Sequence, residues 1–185
     1  MPGKAAFRNI PYLRESEKSR KRCGENGSMR KKVIDPLQNP PVKPDGQWFD
    51  IEEIASLEVT SEDPNFPVDN AFGAPDGAGW RAAGRGEQQI RILFDEPQPV
   101  RRMQLRFREE KAERTQEFAV AWSPNPAEPT RQIVRQQWNF SPSGSTTEAE
   151  DYTVDLPSVA VLELTIRPDL GRQDSVASLE SWRVG

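Results

Sequence analysis

The segment Trp80-Arg81-Ala82-Ala83-Gly84-Arg85-Gly86-Glu87 sets one aromatic ring and two guanidiniums into a glycine-rich stretch. An indole can stack on a sugar ring, and a guanidinium can donate paired hydrogen bonds to hydroxyls or to a carboxylate. The plainer reading makes Trp80 a core residue and lets the arginines cover a sheet edge. Trp80 reads as core, and Arg81 and Arg85 stay open between the two. Farther on, Arg106, Arg108, Glu109, Glu110, Lys111, Glu113 and Arg114 crowd one strand-to-strand connection. Mixed charges of this kind either hold a ligand or are simply solvated. Glu109 and Glu113 could be drawn as a hydrolase pair, but sequence supplies neither their separation nor an apolar pocket to split their pKa values. Arg172, in Gly171-Arg172-Gln173-Asp174, is a further ligand candidate in a loop before the last strands.

Composition removes most other chemistry. The 185 residues include no histidine and one cysteine, Cys23. Without imidazole there is no Ser-His-Asp or Cys-His catalysis and no histidine-bound metal. One thiol forms no internal disulfide, so an oxidising compartment is not required. The N-terminus lacks the apolar run of about 7–15 residues that a secretory signal carries. No stretch approaches the roughly 18 apolar residues of a membrane span. These features lead to the expectation of a cytoplasmic protein that is not an enzyme.

Charge is unevenly spread. Residues 1–45 hold 11 Lys+Arg against 5 Asp+Glu, a net +6, whereas the remainder holds 14 against 24, a net -10. Lys18, Arg20, Lys21 and Arg22, with Arg30, Lys31 and Lys32, make the first 35 residues a basic arm. The arm is either a solvated tail or a segment that docks on an acidic partner surface. The acidic body, with no recognition helix or aromatic-studded sheet motif, argues against nucleic acid. Residues 36–47, rich in proline, read as a stiff linker.

From residue 48 to 185 the pattern becomes period-two alternation broken by Gly, Pro, Asn, Asp and Ser. Ile90, Ile92 and Phe94 share one face of 88–94, and Met103, Leu105 and Phe107 one face of 100–107. Phe118, Val120 and Trp122 follow, then Trp138 with Phe140, Tyr152 with Val154 and Leu156, Leu162 with Leu164 and Ile166, and Trp182 with Val184. One dry and one wet face suit antiparallel sheets. The expectation is all-β: an antiparallel jelly-roll sandwich of about eight strands, with 95–99 as a turn between two of them. Trp48-Phe49 is expected to latch onto the sandwich.

Five segments across residues 54–185 carry a resemblance. Asp69-Asn70-Ala71-Phe72 with Trp80, Gln89–Val100, Phe118–Ser123, Val161–Ile166 and Leu179–Val184 occur in the order of similar segments in the galactose-binding-domain-like superfamily. That superfamily includes discoidin domains, coagulation-factor C domains and bacterial carbohydrate-binding modules. The resemblance implies a non-catalytic module that binds carbohydrate through loops at one end, with Arg81, Arg85, Arg108, Arg114 and Arg172 as contact candidates. It also implies a structural calcium ion in many members, for which Asp76 and Glu180 would be the carboxylates here. The sequence departs from the family's acidic turn at Gly73-Ala74-Pro75, so an empty turn and a calcium site both stay open, and no other cofactor is expected. The alternative function is an assembly subunit whose basic arm docks on a partner protein.

Overall fold

The computed structural model describes residues 47–73, 77–172 and 174–185. A helical turn at Ile51–Ile54 leads into eight strands: β1 (Ala55–Val59), β2 (Trp80–Arg85), β3 (Gln88–Arg108), β4 (Arg114–Ser123), β5 (Arg131–Phe140), β6 (Thr147–Arg167), β7 (Val176–Leu179) and β8 (Ser181–Val184). All pairings are antiparallel. The strand count agrees with the expected eight, but the strands themselves differ.

Segments 88–94 and 100–107 are one strand, β3, and the residues around Tyr152 and Leu164 are one strand, β6. β3 and β6 pair along nearly their whole length, from Gln88↔Ile166 to Arg108↔Thr147. The first half of β3 also pairs with β1, and the second half of β6 pairs with β4, which in turn pairs with β5. The second half of β3 pairs with β8 instead. The long β3–β6 pair therefore contributes to two layers: β1–β3–β6–β4–β5, and β8–β3–β6.

Residues 95–99, expected to be a turn, form the bend between those layers. Pro97 and Pro99 have no N–H to give a ladder, and the β3–β6 register is irregular between Leu93 and Arg102. The irregularity also changes the phase of the alternation. Even positions Ile90, Ile92 and Phe94 are buried before the bend, and odd positions Met103, Leu105 and Phe107 after it. A strand that turns a corner without such a slip would point its apolar face outward. Phe107 and Phe118 meet across the layers with ring centroids 5.0 Å apart. With Trp80 and Trp182 they are among the largest fully buried side chains.

The glycine-rich stretch is also a strand. In β2, Trp80 and Ala82 are buried while Arg81 and Ala83 face outward. Its partner is β7, with Trp80↔Leu179 and Arg81↔Ser178 in register. Gly79 precedes it at φ 68°, and a Cβ there would lie 2.6 Å from the Leu179 carbonyl oxygen, so no other residue fits that approach.

Trp48 closes the other side. Its ring lies between two guanidiniums, Arg102 at 3.8 Å and Arg183 at 4.6 Å from the centroid. The Phe49 N–H donates to the Val184 carbonyl at 2.7 Å, and the Phe49 ring meets Phe94 edge-on. Among the described residues, no helix is long and apolar enough to cross a membrane.

Candidate functional site

An open cleft of about 440 Å³ lies where β2, β7 and the β3–β4 loop meet. Trp80 and Arg81 come from β2, Val176, Ser178 and Leu179 from β7, and Arg108 to Ala112 from the loop, with Phe66 and Glu180 completing the wall. Phe66 was not legible as a site residue. Its Asp63-Pro64-Asn65-Phe66-Pro67 segment forms a turn, in which Asp63 Oδ1 accepts from the Asn65 backbone N–H at 2.9 Å. That turn is pinned to β2 from both sides, because Arg81 N–H donates to the Phe66 carbonyl and Asp63 N–H to the Arg81 carbonyl. The result puts the Arg81 guanidinium 5.0 Å from the Phe66 ring centroid, an aromatic shelf beneath a cation.

The loop is organised by one carboxylate. Glu109 Oε1 accepts from the backbone N–H of Lys111 (2.8 Å) and of Ala112 (3.1 Å), while Oε2 lies 3.1 Å from Arg114 Nε. Arg114 is 2 % exposed at its side chain. Its Nη1 donates to the Pro168 carbonyl at 2.7 Å, and the guanidinium sits 5.6 Å from the Phe140 centroid. Arg114 thus fastens the loop to the end of β6, and the structure leaves little of it for a ligand. Burial lowers its pKa, against the favourable charges of Glu109 and Asp169, and the Arg81 charge pushes the same way as burial. Arg108 is exposed and paired with Glu110 at 3.2 Å.

The cleft brings together Arg81, Arg108, Arg114 and Glu180, four of the residues singled out in the sequence. It does not include Arg85 or Arg172. Arg85 stands exposed at the far end of β2, and Arg172 lies in hollows with Glu87, Arg167 and Asp169 on one side and Glu113 and Asn139 on the other. Glu113 is in the latter hollow, so it does not face Glu109 across the cleft. Lys18, Arg20, Lys21, Arg22, Arg30, Lys31, Lys32 and Asp76 lie outside the described residues.

The calcium expectation concerns Glu180 and the turn that follows Asn70. The Asp69 carbonyl already accepts from the Phe72 and Gly73 N–H groups, and the Gly79 carbonyl from Asn70 Nδ2 at 3.3 Å. Among the described residues no group of three or more carboxylate, imidazole or thiol side chains converges anywhere. Calcium takes about six to eight oxygens. Asp76, the other carboxylate of that expectation, lies outside the described residues.

A second polar cluster was missed altogether. It lies between the layers, where β4, β5 and the first half of β6 face one another. Gln116 and Glu148 are each 1 % exposed, and Gln136 joins Glu148 Oε1 (3.5 Å) to the Tyr152 hydroxyl (2.8 Å). Both polar atoms of Gln116, Glu148 Oε2 and Trp138 Nε1 are buried without a partner among the described residues. Burial, reinforced by Glu150, pushes the Glu148 carboxyl up to about 7, and the same causes in the same order raise the Tyr152 hydroxyl. The sequence signal is faint: Gln116 and Gln136 interrupt alternate positions that are otherwise apolar, and Glu148 with Glu150 precedes the series Tyr152, Val154 and Leu156.

Solved structures share the fold of this sandwich. A family 32 carbohydrate-binding module of Clostridium perfringens NanJ, in complex with galactose, matches with a TM-score of 0.55 at 13% identity, over 74% of this chain and 96% of that one. The family 32 module of AlyQ, in complex with 4,5-unsaturated mannuronic acid, gives 0.54 at 18% over 76% and 98%. A C. perfringens module bound to GalNAc-β-1,3-galactose gives 0.57 at 13% over 75% and 99%. At these identities the likeness is one of fold. No family sequence model matches the chain, and no curated protein resembles it in sequence.

Proposed function

We propose that residues 48–185 are a non-catalytic carbohydrate-binding module whose ligand lies in the cleft between β2, β7 and the 108–114 loop. The observation that carries the reading is the outward guanidinium of Arg81, held over Phe66 and presented into a cleft on a fold shared with sugar-binding modules. A guanidinium fixed on an aromatic shelf loses little rotamer freedom when it hydrogen-bonds a sugar. The neighbours' ligands include galactose and an unsaturated mannuronic acid, so a sugar ring is the ligand class expected here. A catalytic reading has no support in the cleft, because Glu109 is committed to Arg114 and to two backbone N–H groups. A cytoplasmic setting rests on the sequence alone.

The test is a glycan array probed with the full chain beside Ala112→Trp, which places an indole in the cleft from an exposed loop position. Binding by the parent that disappears in the variant supports the reading. Binding that the variant retains would move the site elsewhere. The assembly reading, in which the basic arm docks on an acidic protein surface, rests on the +6 and -10 charge division. It predicts a protein partner captured by the full chain and lost when residues 1–45 are removed.

A further inference from the structure

We propose that the cleft selects sugars bearing a carboxylate, with Arg81 and Lys111 as the cations that receive it and Glu180 as an acceptor for ring hydroxyls. This rests on the carbohydrate reading of the same cleft and adds the chemical class of sugar. The cleft holds charge that is not committed to internal pairs. Among the cleft's charged groups, Arg114 and Glu109 neutralise each other at 3.1 Å, and Arg108 and Glu110 do so at 3.2 Å. Among the described residues, no carboxylate lies within ion-pair distance of Arg81 or Lys111, and no cation within that distance of Glu180. Two such cations against one such carboxylate leave the cleft with a surplus of one positive charge. The rest of residues 46–185 carries a large negative excess, so the surplus is a local property of the cleft.

Arg81 and Arg114 moreover repel each other. They line the same cleft, and the charge of Arg81 disfavours the charged form of Arg114. A bound anion at Arg81 relieves that repulsion, whereas a neutral sugar leaves it in place. The planar fork of Arg81 matches a carboxylate bidentately, and its shelf on Phe66 fixes the plane of the fork. Lys111 supplies a mobile point charge from the loop, and its backbone N–H is already tied to Glu109. The result is one rigid donor pair and one adaptable cation opposite a single acceptor, which suits a uronic acid better than a plain hexose.

The experiment compares trigalacturonate with galactotriose, two trisaccharides that differ by carboxylate in place of hydroxymethyl. Binding to the full chain is followed by NMR through the Trp80 indole N–H, which belongs to the cleft wall. A charge-assisted bidentate contact predicts that trigalacturonate binds at least about tenfold tighter. Arg81→Gln removes that preference, and Arg81→Lys restores part of it. Sodium acetate at matched ionic strength supplies the carboxylate without the ring and leaves the bound trisaccharide in place. Equal affinity for the two trisaccharides overturns the inference and leaves the carbohydrate reading standing. Displacement by acetate overturns it too, since the cleft is then a simple anion site. Failure to bind either trisaccharide, or any other glycan, overturns both.

Discussion

Arg114 and Glu148 are both charged residues inside a β-sandwich, and the protein treats them in opposite ways. Arg114 is surrounded by what a cation needs: the Glu109 carboxylate, the Pro168 carbonyl and the Phe140 face. Glu148 has one amide nitrogen at 3.5 Å, another carboxylate nearby in Glu150, and an oxygen with no partner among the described residues. The first is a strut that shapes the cleft. The second is a proton-binding position, because the cheapest response of an unpaired buried carboxylate is to become neutral. Equal burial thus gives different chemistry, and the partner set decides which.

The comparison breaks most readily at Arg114. Arg114→Met should cost about 3–5 kcal/mol in denaturant unfolding, because Glu109 and a carbonyl are left without their cation. An unchanged midpoint would mean that the loop is held by something other than this node. A smaller effect of opposite sign is expected at Glu148. Its carboxyl titrates near 7 when folded and near 4.5 when unfolded, so the folded state binds the proton more tightly. Stability from this group is complete below the lower value and is lost as the pH rises through about 7. Glu148→Gln should therefore leave stability unchanged at about pH 3.5, below both values, and raise it by about 1–3 kcal/mol at pH 8, where the parent carries a buried charge. Equal shifts at both pH values, measured by thermal unfolding, would sink the proton-site reading.

Glu117 provides the mildest case. Its carboxylate is well partnered, with Gln137 Nε2 at 2.9 Å, Arg135 Nη2 at 2.9 Å and Arg167 Nη1 at 3.5 Å, and the arginines that pair with it reach solvent. The Gln137 hydrogen bond, with help from both arginines, holds its carboxyl below the ordinary range against the effect of burial. Its contribution is present above 4.5 and lost as the pH falls through the lower folded value. Because both arginines are about half exposed, Glu117→Gln should cost less than about 1 kcal/mol, and less again in high salt. A larger loss would place this network with Arg114 rather than between the two extremes.

The layers were legible where one residue type repeats on one face. Ile90, Ile92 and Phe94, or Leu162, Leu164 and Ile166, declare an inward side with no help from the rest of the chain. That 88–94 and 100–107 are one continuous strand bent at 95–99 was not legible, because the continuity exists only in the pairing with β6. β2 was hidden for a related reason. Gly84, Gly86 and two arginines weaken any local strand signal, and what makes 80–85 a strand is the edge offered by β7 some hundred residues later. For the cleft, Arg81 and Arg108 were nameable as chemistry but not as neighbours. Arg114 looked like any loop arginine, since nothing local distinguishes a guanidinium that ends beneath Pro168 from one in water. Phe66 carried no signal beyond its flanking prolines.

The latch at Trp48 has a consequence for how the domain can be carried. Gly185 N–H donates to the Arg102 carbonyl, and its own carbonyl accepts from the Arg101 and Arg102 N–H groups. A Cβ on Gly185 would sit 2.8 Å from the Gln47 carbonyl oxygen, so the strand path enters and leaves the sandwich at adjoining points. Neither point touches the cleft wall. A fold whose Gln47 and Gly185 share one doorway is an insertable cassette: residues 47–185 can be spliced into a surface loop of another protein, or cut and re-joined at the Ser141–Ser145 turn, with the cleft undisturbed.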